Sequence, residues 1–267
     1  MELIQLTPWD LGAAAVLVML LAGLSFHLQL GIEKRLSIAA LRSAVQLSLL
    51  GLVLKVIFTQ SNPLTIGLLT LFMLLVASYE VMNRQQRRYQ GYWGMGVGIF
   101  SMFISSFSVT LLALLVILQV EPWYTPQYLI PLLGMMLGNT MTGVALSLDC
   151  LNQNAWQQRA SIEARLMLGH DWHTAIAEIR RNAMRTGLIP IMNAMAAAGV
   201  VSIPGMMTGQ ILAGSQPLEA AKYQILILFL VSASIGLGSM TAIWLGSKHL
   251  FDERQRLRLD RLTQPKR

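Results

Sequence analysis

Residues 152–187 read NQNAWQQRASIEARLMLGHDWHTAIAEIRRNAMRTG and form the longest polar stretch of the chain. The stretch holds five Arg, three acidic residues and two His, and strongly hydrophobic blocks flank it on both sides. Because charged residues are costly inside a bilayer, we interpret this stretch as lying outside the membrane. The flanking blocks are then the membrane-spanning part of the molecule, and the stretch is placed to contact a partner.

The composition predicts an all-α polytopic membrane protein. Of 267 residues, 54% are hydrophobic and only 12% are charged, whereas a soluble domain carries about 25% charged residues. The single cysteine, Cys150, excludes an intrachain disulfide and a cysteine cluster for zinc. The first residues, MELIQLTPWD, lack the basic start and the cleavage site of a signal peptide. We therefore expect the first apolar run to be a retained helix.

The hydrophobic blocks divide into about seven predicted membrane spans within one permease domain, residues 1–267. A span needs about 20 mostly apolar residues, and polar or charged connections separate the candidates. The predicted spans cover residues 9–28, 36–58, 64–83, 94–120, 130–151, 188–214 and 223–246. The polar stretch 152–187 and a tail, residues 247–267, complete the chain.

The distribution of Lys and Arg predicts the orientation. With the N-terminus outside and the C-terminus in the cytoplasm, 17 of the 20 Lys and Arg residues fall in cytoplasmic segments. Lys222 is the only one in an outside segment, and Arg42 and Lys55 lie within the second span. This placement explains the net charge of +7 without a nucleic-acid partner. We expect the basic tail to be a solvated extension that touches lipid head groups.

The polar stretch itself predicts a cytoplasmic helix-turn-helix. Gly169 can take the left-handed conformation that ends a helix, and Asp171 can cap the next one. An apolar stripe at helical spacing follows the turn and consists of Trp172, Ala175, Ile176, Ile179 and Ala183. A short helix with an apolar face is suited to the groove of a partner.

The residues around this turn resemble the coupling loop of ABC-transporter permeases. That loop has Glu-Ala-Ala, three further residues and Gly, and residues 163–169 read EARLMLG, with Arg165 in place of the second Ala. The Ile-x-Leu-Pro group that follows in importers is not matched in place. Over nearly the whole chain, the sequence resembles the Fet-type (FetB-like) iron-export ABC transporter permease family. The blocks that carry this resemblance are residues 42–58, 131–148, 162–190 and 201–225.

The resemblance implies a permease subunit of the cell inner membrane that exports iron or another metal ion. It further implies that a separate ATP-binding subunit binds and hydrolyses ATP, so that this chain needs no cofactor of its own. Since each chain has one coupling segment, we expect two permease chains to pair as a homodimer. The expected coupling residues are Glu163, Ala164, Leu166, Gly169, His170 and Asp171.

Two segments share the pattern Gly-Met-Met-x-Gly followed by a carboxamide, at residues 134–139 and 205–210. Glycine and nearby proline allow close helix approach or a broken helix, and polar groups in a span should face the protein interior. The candidate transport pathway consists of Met135, Met136, Asn139, Thr142, Met206, Met207 and Gln210. For the methionines, helix packing is an alternative, whereas the two carboxamides favour the pathway.

No other chemistry is indicated by the sequence. It has no P-loop for nucleotide and no catalytic cluster, so we do not expect an enzyme. His170 and His173 are close in sequence, but no further ligand completes a metal site with them, and the metal ligands stay unidentified. A secondary transporter or channel that works without an ATPase is the alternative function.

Overall fold

The computed structural model describes residues 7–60 and 62–264, and this part of the chain is helical with no β-strand. Two stretches within the fourth helix are π-helical, at Phe103–Phe107 and Ala113–Ile117. The helices are α1 Pro8–His27, α2 Glu33–Gln60, α3 Pro63–Arg84, α4 Tyr92–Ile117, α5 Pro126–Gln157, α6 Arg159–Met167, α7 Trp172–Ala175, α8 Ala177–Ala197, α9 Gly205–Leu212 and α10 Pro217–His249.

Six of these helices are long and apolar enough to cross a membrane, which makes the chain a multi-pass membrane protein. They are α1, α2, α3, α4, α5 and α10, and each overlaps a span predicted from the sequence. α5 and α10 are the longest, and both extend several residues beyond the predicted apolar blocks.

The predicted span over residues 188–214 is not one helix but is broken by a turn. α8 ends at Ala197, a turn follows, and α9 begins at Gly205. Gly199 has a φ of +79°, which ends a helix, and Pro204 disfavours helix in the residue before it. Backbone hydrogen bonds close the turn, with Ser202 N–H donating to the Ala197 carbonyl at 3.1 Å.

α5 is the central helix, and it packs against α3, α8 and α10. Two hydrophobic clusters fill the bundle, and α5 contributes to both. α8 belongs to one cluster through Ala183 and to the other through Ile191, while α10 runs back between them from Ile227 to Ile243. In succession, α8, the turn and α9 therefore extend from one end of the bundle to the other.

One end of the bundle gathers three connecting segments, and we call it the basic end. These segments are the α3–α4 linker (residues 85–91), the middle of the predicted coupling segment 152–187 (residues 158–176, called the coupling segment below) and the C-terminal strap (residues 250–264). The linker meets α5 where Gln86 N–H donates to Asp149 Oδ1 at 2.7 Å, and the Asn152 side chain donates to the Arg87 carbonyl at 2.9 Å.

The C-terminal strap corrects the prediction that the tail is a solvated extension. Leu250 is fully buried, and Phe251 and Leu262 are 5% exposed, because these side chains join the hydrophobic cluster at the basic end. The tail folds back because its apolar residues pack against the α3–α4 linker and the coupling segment. Lys266 and Arg267, which the orientation argument counted, lie outside the described residues.

Hydrogen bonds within the strap fix its shape. Asp252 accepts the backbone N–H groups of Arg254 and Arg256 at 3.0 and 2.8 Å, which lowers the pKa of its carboxyl. The Arg258 guanidinium binds both oxygens of Asp260 and lowers the pKa of that carboxyl to about 2. Arg258 N–H also donates to the Leu250 carbonyl at 2.8 Å, which closes the first half of the strap into a loop.

Candidate functional site

The coupling segment forms the predicted helix, turn and helix. α6 ends in a turn where Gly169 has a φ of +88°, and His170 N–H donates to the Arg165 carbonyl at 3.2 Å. This is the arrangement by which a left-handed glycine satisfies the last carbonyls of a helix. A side chain at position 169 would have to take a conformation that L-residues rarely adopt.

The next helix begins with the predicted cap. The Asp171 carboxylate accepts the Thr174 backbone N–H at 3.1 Å. Hydrogen bonding by the Thr174 side chain and by this N–H lowers the pKa of Asp171. The second helix is divided, since α7 is one turn long and Ile176 has a ψ of 10° before α8 begins. The predicted apolar stripe lies against the bundle, with Ala175, Ile176, Ile179 and Ala183 all buried.

A cleft of about 740 Å³ opens at the basic end between α6 and the C-terminal strap. Four of the six expected coupling residues line it, namely Glu163, Leu166, Gly169 and His170. The opposite wall is the strap segment 253–257, a position that no pattern in the sequence indicates. Of the other two, Ala164 is exposed on α6 and Asp171 serves as the cap.

The rim of this cleft exposes apolar side chains where no membrane span covers them. Met167 is 87% exposed and Leu168 is 79% exposed, whereas Ile162 on the same helix is buried. Large exposed apolar residues next to a cleft are typical of a surface that binds another protein. The cleft can therefore receive a protruding element of a partner.

The side chains of the two Gly-Met-Met segments, which hold most residues of the candidate transport pathway, have different surroundings. Met136 is fully buried, and Met135 and Met206 pack against the same hydrophobic cluster, which agrees with the packing alternative for these side chains. Met207 is half-buried. The Gln210 side chain is half-buried, and its Oε1 atom is buried without a hydrogen-bond partner among the described residues.

α5 has a polar face that the other described residues leave open. Asn139 is exposed, and among the described residues it donates only to the Met135 carbonyl, at 2.8 Å; Thr142 is half-buried three residues further on. The Arg84 side chain reaches this face from the end of α3 and donates to Thr142 Oγ1 at 3.2 Å. Because carboxamide and guanidinium groups are costly against lipid tails, water or a second copy of the chain must cover this face.

A charged pair that the sequence did not predict joins α2 to α3. The i, i+4 spacing of Glu80 and Arg84 predicts an ion pair within α3, and this prediction is wrong. Glu80 instead accepts from Arg42 Nη2 at 2.8 Å, and Arg84 turns towards α5. The side chain of Arg42 is 53% exposed and that of Glu80 is 21% exposed.

No metal centre is visible in the part of the chain that the structure describes, since nowhere do three His, Cys, Asp or Glu residues converge. The two His residues of the coupling segment do not form a pair. His173 stacks on Trp172 with ring centroids 3.6 Å apart, whereas His170 lines the cleft. The residues that would bind a transported metal are thus not identified by side-chain clustering.

Comparison with known proteins gives one consistent group of relatives. The sequence model of an uncharacterised protein family, UPF0014, matches residues 8–251. The chain is 39% identical to the UPF0014 membrane protein slr1647 of Synechocystis over 81% of this chain and 83% of that protein. It is 34% identical to the UPF0014 membrane protein YjkA of Bacillus subtilis over 93% of this chain and 97% of that protein.

A further relative carries a functional name. The chain is 30% identical to an Escherichia coli protein named "Probable iron export permease protein FetB", over 95% of each chain. No solved structure matches the chain.

Proposed function

The chain belongs to the UPF0014 family, and from this membership we propose that it is the membrane-spanning permease subunit of an ABC transporter. Two copies pair in the inner membrane, and a separate ATP-binding subunit on each copy drives the export of iron or another metal ion. The observation that carries the proposal is the cleft at the basic end, because it holds four residues of the coupling pattern beside exposed apolar side chains. The name of the Escherichia coli relative supports the cargo.

In this proposal the basic end faces the cytoplasm. The orientation is supported by the convergence there of the α3–α4 linker, the coupling segment and the strap, which together hold eight of the 20 Lys and Arg residues. If α8, the turn and α9 are counted together as one membrane span, the chain crosses the membrane seven times. The N-terminus is then outside and the strap is inside.

Replacing Gly169 with valine tests the partner contact. A β-branched residue is strongly disfavoured at a φ of +88°, so we expect the turn to open and the ATP-binding subunit to be lost from the purified complex. The measurement is co-purification of an ATP-binding subunit with the tagged chain from membranes, with wild type and variant compared at equal amounts.

The matched control is Gly169→Asn, because asparagine tolerates the left-handed conformation. This variant should retain the partner, since no described atom lies within 4 Å of a Cβ placed at position 169. A wild-type chain that carries no ATP-binding subunit and still transports in vesicles without ATP would overturn the proposal in favour of a secondary transporter.

The transport pathway in this proposal runs along the open polar face of α5 and past Gln210. Asn139 and Thr142 are available there because they are exposed or half-buried within the protein's apolar helices. Gln210 presents a buried, unpartnered carboxamide oxygen. Hydroxyl and carboxamide groups can replace part of the water around a cargo ion as it passes.

We expect Asn139→Ala and Gln210→Ala to reduce transport by about fivefold each, because each removes a polar contact worth about 1 kcal/mol. The measurement is ATP-dependent uptake of ferrous iron into inverted vesicles, with partner binding and ATP hydrolysis recorded alongside. Thr208→Ala is the control, since Thr208 is exposed on α9 two residues from Gln210. Wild-type transport by both variants would exclude this pathway.

A further inference from the structure

The C-terminal strap contacts the coupling segment directly at the start of α7. The backbone N–H of Trp172 donates to the side-chain oxygen of Gln255 at 3.2 Å. The rings of Trp172 and Phe251 stack with centroids 5.5 Å apart. Gln255 has a φ of +58°, so the strap bends sharply at the residue that makes this hydrogen bond. One short loop of the strap thus holds the beginning of α7.

The other end of the strap pairs with the α3–α4 linker as one strand pairs with another. Gln90 N–H donates to the Arg261 carbonyl at 2.8 Å, and Thr263 N–H donates to the Arg88 carbonyl at 2.9 Å. The side chains add two bonds between the same segments, at 3.2 Å each. Leu262 lies between these bonds and is 5% exposed. The strap is therefore fixed to the linker by both backbone pairing and burial.

The strap is itself a stiff connection. Asp252 ties its first half into a loop, and the Arg261 guanidinium donates to the His249 carbonyl at 2.7 Å, which holds the second half against the end of α10. A displacement of the coupling segment would thus be passed along the strap rather than absorbed by it, because packed and hydrogen-bonded elements transmit strain.

Without the strap, the coupling segment contacts mainly its neighbours in sequence. α6 packs against α5 and α7, and α7 packs against α8. These contacts can pass a movement to α5 and α8. Through α5 they reach α3 and the linker only indirectly, at Asp149 and Asn152. The strap, in contrast, contacts both the coupling segment and the linker that joins the end of α3 to the start of α4.

We propose that the C-terminal strap is part of the coupling device and passes the movement of the coupling segment to α3 and α4. The inference rests on the proposed function, since the movement is the one that the ATP-binding subunit imposes at the cleft. Gln255 and Thr263 act as positioning residues at the two ends of this connection. Closure of the ATP-binding subunits then moves α3 and α4 together with α5 and α8. The helices beside the open polar face of α5 therefore change position with it.

The test is hydrogen exchange of the complete transporter before and after the ATP-binding subunits are trapped with ADP and vanadate. Peptides covering residues 159–175 report on the coupling segment, and peptides covering residues 85–91 report on the linker. In wild type, both should change their exchange on trapping. In Gln255→Gly the coupling segment should still respond, and the linker should lose its response.

Gln255→Gly is chosen because glycine suits the φ of +58° and removes the side chain that accepts the Trp172 N–H. Gln119→Gly is the matched control, since Gln119 has a φ of +50° and lies in the loop between α4 and α5, far from the strap. This control should behave as wild type. Thr263→Pro cuts the other end by removing the N–H that binds Arg88. Thr263→Pro should also abolish the linker response. The double variant, Gln255→Gly with Thr263→Pro, should reduce the hydrogen-exchange response of the linker no further than either single variant.

The outcomes separate the two proposals. A coupling segment that does not respond in wild type, despite a bound and trapped partner, contradicts the proposed function. A coupling segment that responds while the linker keeps its full response in Gln255→Gly and in Thr263→Pro overturns the role of the strap alone. A wild-type linker that never responds, beside a coupling segment that does, also overturns the role of the strap.

Discussion

Gly187→Ala should lower the stability of the protein by about 2–3 kcal/mol, the cost of overpacking a close helix contact. Gly187 lies where α8 crosses α5, and an added Cβ would overlap Ser147 Oγ and lie 2.7 Å from the backbone oxygen of Gly143. The backbone oxygen cannot move without shifting α5, which carries both hydrophobic clusters. The expected result is a lower midpoint of thermal unfolding in detergent micelles. During the melt, the signal from tertiary structure should be lost before the signal from helix.

Gly236→Ala is the control for this effect. Gly236 lies on α10, and no described atom lies within 4 Å of a Cβ placed there. Alanine is favoured over glycine within a helix by about 1 kcal/mol, so this variant should match or slightly exceed wild type in stability. Equal losses in both variants would show that helix flexibility, rather than the close crossing at Gly187, sets the stability.

Close helix crossings account for several glycines of this chain besides Gly187. Gly143 on α5 and Gly238 on α10 also have neighbours closer than 3.0 Å to an added Cβ. Small residues let membrane helices approach and gain van der Waals contact, which lipid tails do not otherwise favour. α5 is thus held at the centre of the bundle by backbone proximity as well as by large apolar side chains.

The sequence predicted the six long helices well, because a hydrophobic run of sufficient length is a local signal. It also predicted the turn at Gly169 and the cap at Asp171, since both depend on the backbone preferences of single residues. The break in the span over residues 188–214 had local signals too, in Gly199 and Pro204. A hydropathy window averages over such residues, and the apolar side chains on both sides concealed the turn.

Long-range contacts were not predictable in the same way. Nothing near Gln255 in sequence indicates that it meets Trp172, and the alternation of Arg, Leu and Asp in the strap is also typical of a solvated segment. The partner of Glu80 was wrongly predicted for a related reason. Arg84 is the neighbour of Glu80 at helical spacing, but it donates to Thr142 on α5 instead. Glu80 pairs with Arg42 on α2.

The ion pair between Arg42 and Glu80 gives the last test, because the α1–α2 hairpin has few other contacts with the bundle. About 6% of the residues in the most apolar part of α1 and of α2 are buried within the chain.

Glu80→Leu leaves the Arg42 charge unpaired in an apolar span, which costs about 2–3 kcal/mol, and thermal unfolding in nanodiscs should show that loss. Arg42→Leu together with Glu80→Leu removes both charges and should recover most of the stability, since a matched apolar pair is often no worse than a buried ion pair. If instead the double variant loses as much as the two single variants combined, the two charges act independently, and the hairpin is held by the apolar contacts of Leu54, Ile57 and Phe58 with the bundle.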